Sequence, residues 1–218
     1  MKKIFLLSWI ICFSLCCDPF SLKTTYQYLE QTGDDQSVTT WSFKNKKALL
    51  LIYGNDSVSK TYIECSHDFI ESTYKYENPV ENTIFTLIRN KDKITAKGKI
   101  KGEEIEIIHD VGDGNWVQNV GFGLQNFVRS KKTSYSFFKI NPNNLDLVEM
   151  VAKKEDVETI KIQNKKYEAI PVRISLPGTK SLFWHAYAWF DAQTYLFLKY
   201  QGNSGPGTDD TIITLKNQ

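Results

Sequence analysis

Alternation of apolar and polar residues between short polar turns is the feature that most limits the folds open to this 218-residue chain. Ile170, Val172 and Ile174 put an aliphatic side chain at every second position, which is the period of a strand with one face on a core. Turn-forming residues cluster at 54–57, 90–93, 163–165 and 191–194. Their recurrence predicts a mainly β chain arranged as an antiparallel meander.

Two stretches can be assigned more closely. Residues 94–107 alternate isoleucine and alanine with polar residues on either side of a turn at 101–103, which predicts a hairpin. Residues 145–154 fit a strand or a helix by their apolar spacing. We favour the strand.

One stretch has a helical spacing instead. Its apolar residues recur three or four positions apart and are Trp116, Val120, Leu124, Phe127 and Val128. We predict a helix over 115–130, with Asp113 or Asn115 available to cap its first turn. Gly121 and Gly123 each weaken a helix by about 1 kcal/mol, so two short turns remain an alternative to one continuous helix.

A predicted strand over 181–191 is apolar on both of its faces. One face carries Phe183, His185, Tyr187 and Trp189, and the other carries Leu182, Trp184, Ala186, Ala188 and Phe190. A half-exposed antiparallel sheet shows polar residues on its wet face. We therefore expect this part of the sheet to be covered on both sides or to line an apolar hollow, with the 115–130 helix as one cover.

The composition is that of one ordered globular domain. Hydrophobic residues make up 41% of the chain, with 13 Phe, 11 Tyr and 5 Trp. No low-complexity linker divides the sequence, so we predict a single β-rich domain over 22–218. Of the four cysteines, Cys12 and Cys16 fall in an N-terminal signal-like segment and Cys17 is a candidate for modification. Cys65 is then alone, and no internal disulfide is expected.

The N-terminus predicts export. Lys2 and Lys3 precede an apolar run over 4–15 that is shorter than the roughly 20 residues of a membrane span. We predict a signal peptide over 1–16 and a tether over 17–21. Residues 14–17 resemble the lipobox of bacterial lipoproteins, although Ser14 and Cys16 depart from its usual residues.

Lipid attachment at Cys17 is the favoured outcome of this N-terminal pattern. Ordinary cleavage nearby and an uncleaved anchor remain alternatives. The favoured outcome predicts a protein anchored to a membrane on the periplasmic side of a bacterial envelope.

The charge balance argues against a nucleic-acid partner. The chain has 27 Lys and Arg against 25 Asp and Glu, and without Lys2 and Lys3 both counts are 25. Nucleic-acid binding requires a basic face, and no arginine-rich or lysine-rich block is present.

The C-terminal half resembles an uncharacterised family of bacterial envelope proteins. The residues that carry the resemblance are Glu158, Thr159, Ile160, Tyr167, Ala169, Val172, Ile174, Trp184, Trp189, Phe190, Asp191, Tyr195, Leu198, Tyr200, Ile213 and Leu215. Those proteins are similar to the LolA and LolB lipoprotein carriers, which hold acyl chains in a curved sheet. The resemblance implies a single curved antiparallel sheet or half-barrel, with one or two short helices on its concave face.

Catalytic and metal-binding functions find little support in the sequence. His67 and His109 each precede an aspartate, but neighbouring strand residues point to opposite faces and would not converge on one site. No short-spaced metal motif is present, and the glycines at 112 and 114 fit neither a phosphate loop nor a dinucleotide fingerprint. We expect no enzyme activity, no metal and no cofactor.

Two functions remain. In the favoured one, the hollow of the sheet binds a lipid or another apolar ligand, and the expected lining is Trp116, Phe127, Phe183, Tyr187 and Trp189. In the alternative, the protein's own helix packs against the same aromatic residues and fills the hollow, and the chain is a structural or partner-docking module. The sequence identifies no protein partner.

Overall fold

In a computed structural model, residues 25–203 and 208–216 are described. The predicted signal peptide, the tether and Cys17 lie outside them. Within the described residues the chain forms sixteen strands, two short α-helices and one 3-10 helix over Gly178–Leu182. The strands are β1 (Thr25–Thr32), β2 (Asp35–Lys46), β3 (Leu49–Asn55), β4 (Lys60–Ser66), β5 (Glu71–Asn78), β6 (Thr83–Asn90), β7 (Lys93–Ile100), β8 (Glu103–Asp110), β9 (Asn115–Trp116), β10 (Ser134–Ile140), β11 (Leu147–Lys154), β12 (Glu158–Ile162), β13 (Lys165–Ser175), β14 (His185–Asp191), β15 (Phe197–Asn203) and β16 (Asp210–Leu215). The helices are α1 (Val120–Gly123) and α2 (Gln125–Arg129).

Over residues 25–203 and 208–216, all sixteen strands belong to one curved sheet that does not close. Its order is β8-β7-β6-β5-β4-β3-β2-β1-β16-β15-β14-β13-β11-β10-β9, and β12 pairs with β13 beside this path. Every pairing is antiparallel except that of β9 with β10. β1 pairs with β16, opposing Tyr28 to Leu215, and this contact joins the two halves of the sheet. The predicted fold class, a curved antiparallel sheet with short helices, is confirmed.

The predicted hairpin is formed by β7 and β8. Lys101 and Gly102 connect them with φ values of 51° and 90°. Two successive residues with positive φ make the tight turn that matches strand twist, and glycine adopts this conformation without steric cost. The turn sets Ile100 opposite Glu103, and this register places the alternating isoleucines of the two strands on the same face of the sheet.

The predicted helix over 115–130 is broken into two short ones. Asn115 and Trp116 form β9, and α1 starts only after Asn119, whose side-chain Oδ1 accepts hydrogen bonds from the backbone N–H groups of Gly121 and Phe122. The predicted caps at Asp113 and Asn115 are therefore wrong. The alternative of two short turns is confirmed.

The two remaining strand predictions hold with shifted starts. Residues 145–154 contain β11, which begins at Leu147 because Leu145 lies in the left-handed region at φ 59°. The strand expected over 181–191 begins only at His185, after the 3-10 helix.

The concave face of the sheet holds the main apolar core. Phe122, Leu124 and Phe127 of the inserted helices pack there against residues from most of the strands. A second buried cluster lies where the two ends of the sheet overlap. It consists of Phe85, Leu87, Ile94, Ala96, Ile100, Val111, Trp116, Ile140 and Leu145. Side chains of β10 thus pack on both faces, toward the main core on one and toward β6 and β7 on the other.

The outer face of β14 has no covering layer among the described residues. His185 is exposed, and Tyr187 and Trp189 are half-buried. Trp189 Nε1 donates a hydrogen bond to Glu158 Oε1 at 2.6 Å, and Lys199 Nζ lies 4.6 Å from the centre of the Trp189 ring. The expectation of cover on both sides is wrong here, because the amphipathic rings place their polar atoms toward charged neighbours.

Replacing Trp116 by Ala tests the second cluster. Trp116 is 4% exposed, and we expect the cavity left behind to lower the free energy of unfolding by about 3 to 5 kcal/mol. W189A is the matched control, because its half-buried ring lies on the outer face. Chemical denaturation of both variants measures the difference, and an equal loss in the two would contradict the assignment of Trp116 to the core.

Candidate functional site

A cavity of about 620 Å³ lies on the concave side of the sheet, beside α1, and is partly open to solvent. Its walls come from seven strands, from the inserted segment (residues 117–129) before and within α1, and from residues that follow β10 and β13. The lining residues are Tyr28, Glu30, Thr39, Trp41, Gln118, Asn119, Val120, Gly121, Phe122, Lys139, Asn141, Pro142, Asn143, Val148, Met150, Ile174, Leu176, Trp184, Phe197, Tyr200, Gly202, Asn203, Thr211 and Ile213. Most of the exposed surface inside the cavity is apolar.

The cavity remains because the inserted segment is too short and too small to fill the hollow. An added Cβ atom on Gly121 would lie 3.0 Å from the Phe197 ring, so α1 sits directly against β15. Phe122 packs edge-on against Trp41 and Phe43, each with 5.1 Å between ring centres. α1 therefore covers one part of the concave face and leaves the neighbouring part open.

Glu71 of β5 fixes the start of the inserted segment. Its side chain is 3% exposed, and its two carboxylate oxygens accept hydrogen bonds from the backbone N–H groups of Gln118 at 2.8 Å and Asn119 at 3.0 Å. Burial raises the pKa of Glu71 to about 7, against the lowering effects of these two hydrogen bonds and of the Lys139 charge. The carboxyl group thus titrates near neutral pH.

Gln118 ties the same segment to β10. Its Nε2 donates to the Ile140 carbonyl at 2.8 Å, and its Oε1 accepts from the Ile140 N–H at 2.9 Å. With these two bonds, the side-chain amide of Gln118 takes the place of the backbone groups of a neighbouring strand. Buried polar backbone groups require such partners, so Glu71 and Gln118 together hold the cavity wall in place.

Among the residues that the structure describes, Lys139 and Glu30 are the two charged residues of the lining. Lys139 is half-buried on β10, and desolvation lowers its pKa while the negative charge of Glu71 opposes that shift. Burial raises the pKa of Glu30, with a further contribution from the charge of Asp56. Five strands separate β1 from β10 in the sheet order, so the two charges belong to different walls.

The five residues expected to line a ligand site lie outside the cavity lining. Trp116 is in the second buried cluster, and Phe127 is in the main core, 5.3 Å from the Tyr135 ring. Phe183 is 77% exposed at the end of the 3-10 helix. Tyr187 and Trp189 lie together on the outer face, 5.6 Å apart. The structure brings only this last pair together.

As candidates for a ligand site, sequence reasoning named none of the residues that line the cavity. Lys139 carries a usable signal, because it shares the inward phase of β10 with Tyr135 and Phe137. A lysine in an otherwise apolar phase is a costly position that requires an explanation. No comparable signal marks Glu71, whose partners lie 47 and 48 residues away in sequence.

The histidines take part in local contacts with main-chain atoms or neighbouring rings. The Nε2 atoms of His67 and His109 lie 3.2 and 2.8 Å from the carbonyls of Lys47 and Leu145. His185 packs edge-on against Tyr187. Over residues 25–203 and 208–216, no group of three or more His, Cys, Asp or Glu side chains could hold a metal ion. In the same residues, no helix has the length and apolar character needed to cross a membrane.

Comparison with solved structures finds a similar fold in a β-barrel-like protein of the domain of unknown function DUF1849 from Brucella abortus. The two share 9% sequence identity at a TM-score of 0.58, over 88% of this chain and 95% of that chain. The hypothetical lipoprotein YmcC from Escherichia coli also matches, with 9% identity and a TM-score of 0.42, over 88% of this chain and 86% of that chain. No protein-family model and no curated protein matches the sequence.

The likeness to the DUF1849 protein shows a shared fold and nothing about activity, because the sequences share only 9% identity. The resemblance of the C-terminal half to the LolA and LolB carriers stays a prediction.

Replacing Glu71 by Gln tests the electrostatics of the inserted segment. The pKa of Glu71 rises from its ordinary 4.5 to about 7 on folding, so the folded state binds more protons between these values and stability falls as pH rises through that window. The amide that E71Q introduces does not titrate. As the pH is raised from 4.5 to 8, we expect the free energy of unfolding of E71Q to rise by about 2 to 4 kcal/mol relative to that of the unmodified protein.

Denaturation at a series of pH values measures this difference. E149Q, at an exposed strand position, is the control and should keep the pH dependence of the unmodified protein. A difference between E71Q and the unmodified protein that does not change with pH would contradict the account.

Proposed function

We propose that this chain is an exported envelope protein that binds a lipid or another apolar ligand in the cavity beside α1. The observation that carries the proposal is the cavity itself, with a volume of about 620 Å³ inside the concave face of the sheet. Ligand sites in proteins commonly measure about 300 to 1,000 Å³ and are largely apolar. The function is binding without catalysis.

The arrangement of the lining supports an apolar guest. Trp41, Phe122 and Phe197 supply broad aromatic surface, and Val148, Met150 and Ile213 supply aliphatic surface on the other strands. A self-filled core would close this space, because apolar surface left open to water costs about 25 cal/mol per Å². A bound apolar molecule removes that cost.

Blocking the cavity tests the proposal. We expect the protein purified from bacterial envelopes to carry a lipid that mass spectrometry detects after extraction. Ile213→Trp replaces an aliphatic side chain of the cavity wall by a bulky indole ring and should abolish that lipid signal. Ile88→Trp is the matched control, since Ile88 is 48% exposed on a strand away from the cavity.

Thermal melting establishes that each variant is folded, and Val148→Trp on the other wall serves if Ile213→Trp is unstable. An unmodified protein free of lipid, or equal lipid in I213W and I88W, would overturn the proposal. That result would favour the alternative of a structural or partner-docking module.

We propose that the chain reaches the membrane through a lipid on Cys17, on the periplasmic side of the envelope. The support is the signal-like segment 1–16 and the cysteine that follows it. Membrane and protein surfaces remain the possible partners, and the balanced charge of residues 17–218 gives no basis for nucleic-acid binding.

Replacing Cys17 by Ser tests the anchor. We expect C17S to lose membrane association in cell fractionation and to lack the mass increase of an attached lipid. Cys16→Ser is the control and should remain anchored. Membrane association of C17S without a mass change would instead identify an uncleaved anchor.

A further inference from the structure

Within the described part of the chain, the cavity wall contains an ammonium group without a partner. Lys139 extends from the inner phase of β10, which it shares with the core residues Tyr135 and Phe137. Among the described residues the ion pairs are Lys97 with Glu106 and Lys99 with Glu104, and no hydrogen bond reaches Lys139 Nζ. A half-buried charge without a partner is unfavourable in a stable fold unless something else compensates it.

The neighbouring carboxylates do not supply that compensation. Glu71 acts on Lys139 electrostatically but lies beyond ion-pair distance, and both of its oxygens are taken by the N–H groups of Gln118 and Asn119. With a pKa of about 7, Glu71 is also partly protonated at neutral pH. Glu30 lies on the opposite wall and forms no ion pair with Lys139.

The cavity lining that includes Lys139 contains both polar and apolar residues. Asn141 and Asn143 line the cavity just after β10, next to Lys139. Trp41, Phe122 and Ile213 line it on other elements. A ligand that matches this lining has a single apolar chain for the apolar walls and a small group with negatively charged oxygens for the ammonium group.

We propose that Lys139 is the counter-ion for the headgroup of an anionic single-chain amphiphile, carrying a carboxylate or a phosphate, that occupies the cavity. This inference rests on the proposed function and specifies its ligand class. The ammonium donates hydrogen bonds to the anionic oxygens, and the chain lies against the apolar walls. Charge-assisted hydrogen bonds of this kind are stronger than neutral ones and discriminate against uncharged lipids.

Matched ligands test the proposal on the exported protein, purified from envelopes after expression of the full chain and freed of bound lipid. The probes are dodecanoate, dodecyl phosphate and the neutral 1-dodecanol, which share one chain length. Binding is followed by the fluorescence of Trp41 and Trp184, which line the cavity. We expect the anionic probes to bind about tenfold to a hundredfold more tightly than dodecanol, the range of a hydrogen bond to a charged group.

Substitutions assign the discrimination to Lys139. Lys139→Met should bring the affinities for dodecanoate and dodecanol together, and Lys139→Arg should keep them apart. Lys153→Met, at an exposed position of β11, should behave like the unmodified protein. The melting temperature of K139M should not fall, since the change removes an unpaired, half-buried charge.

The outcomes separate this inference from the proposed function. If dodecanol binds as tightly as dodecanoate, or K139M weakens both equally, the counter-ion role is overturned while ligand binding stands. If no probe binds, both proposals fail. If inorganic phosphate competes with dodecyl phosphate at equal concentration, the site recognises a free anion, and the amphiphile is overturned.

Discussion

The structure depends on satisfying the main-chain polar groups of one segment that enters the hollow of the sheet. Residues 117–129 run through the core, where N–H and C=O groups without partners would each cost about 1 to 3 kcal/mol. Glu71, Gln118 and Asn119 provide partners at the point of entry. With that entry fixed, α1 lies against β15 and Phe122 reaches Trp41, which sets the boundary of the cavity.

The cavity combines two requirements that are usually separate in a protein core. In the proposed function, its apolar walls would provide the driving force for taking up a guest and Lys139 would provide direction, because a charge in a medium of low polarity favours one orientation of an amphiphile over the other. The polar supports of the inserted segment lie directly behind this wall. Glu71 therefore influences both the position of α1 and the field at Lys139.

Much of the fold could be predicted from the sequence, because strand alternation and turn residues are local signals. The hairpin of β7 and β8 and the strand character of β11 follow from residues that are close in sequence. The prediction missed Asn119 as the cap of α1, although the cap itself is local, whereas the bond from the Asn119 N–H to the distant Glu71 carries no local signal. The prediction that Tyr187 and Trp189 lie in the hollow is wrong. Its cause is that strand alternation separates the two faces of β14 but does not indicate which face lies on the core.

The candidate site was less predictable for the same reason. Its lining comes from elements far apart in the chain, among which β1, β2, β10 and β16 contribute only one or two residues each. Aromatic content favours residues such as Trp116 and Phe127, which fill the core itself. A more informative signal for the cavity lining is a polar residue at a strand position whose neighbours on the same face are apolar.

The pairing of β1 with β16 has a consequence for how the protein is made. β1 is synthesised well before β16, the strand that pairs with it on one side. During that interval β1 presents an unpaired edge, which can form a ladder with another chain. Contacts between such distant segments also form slowly, because loop closure must precede them. Until β16 is complete, this edge of β1 is therefore a place where two nascent chains can associate.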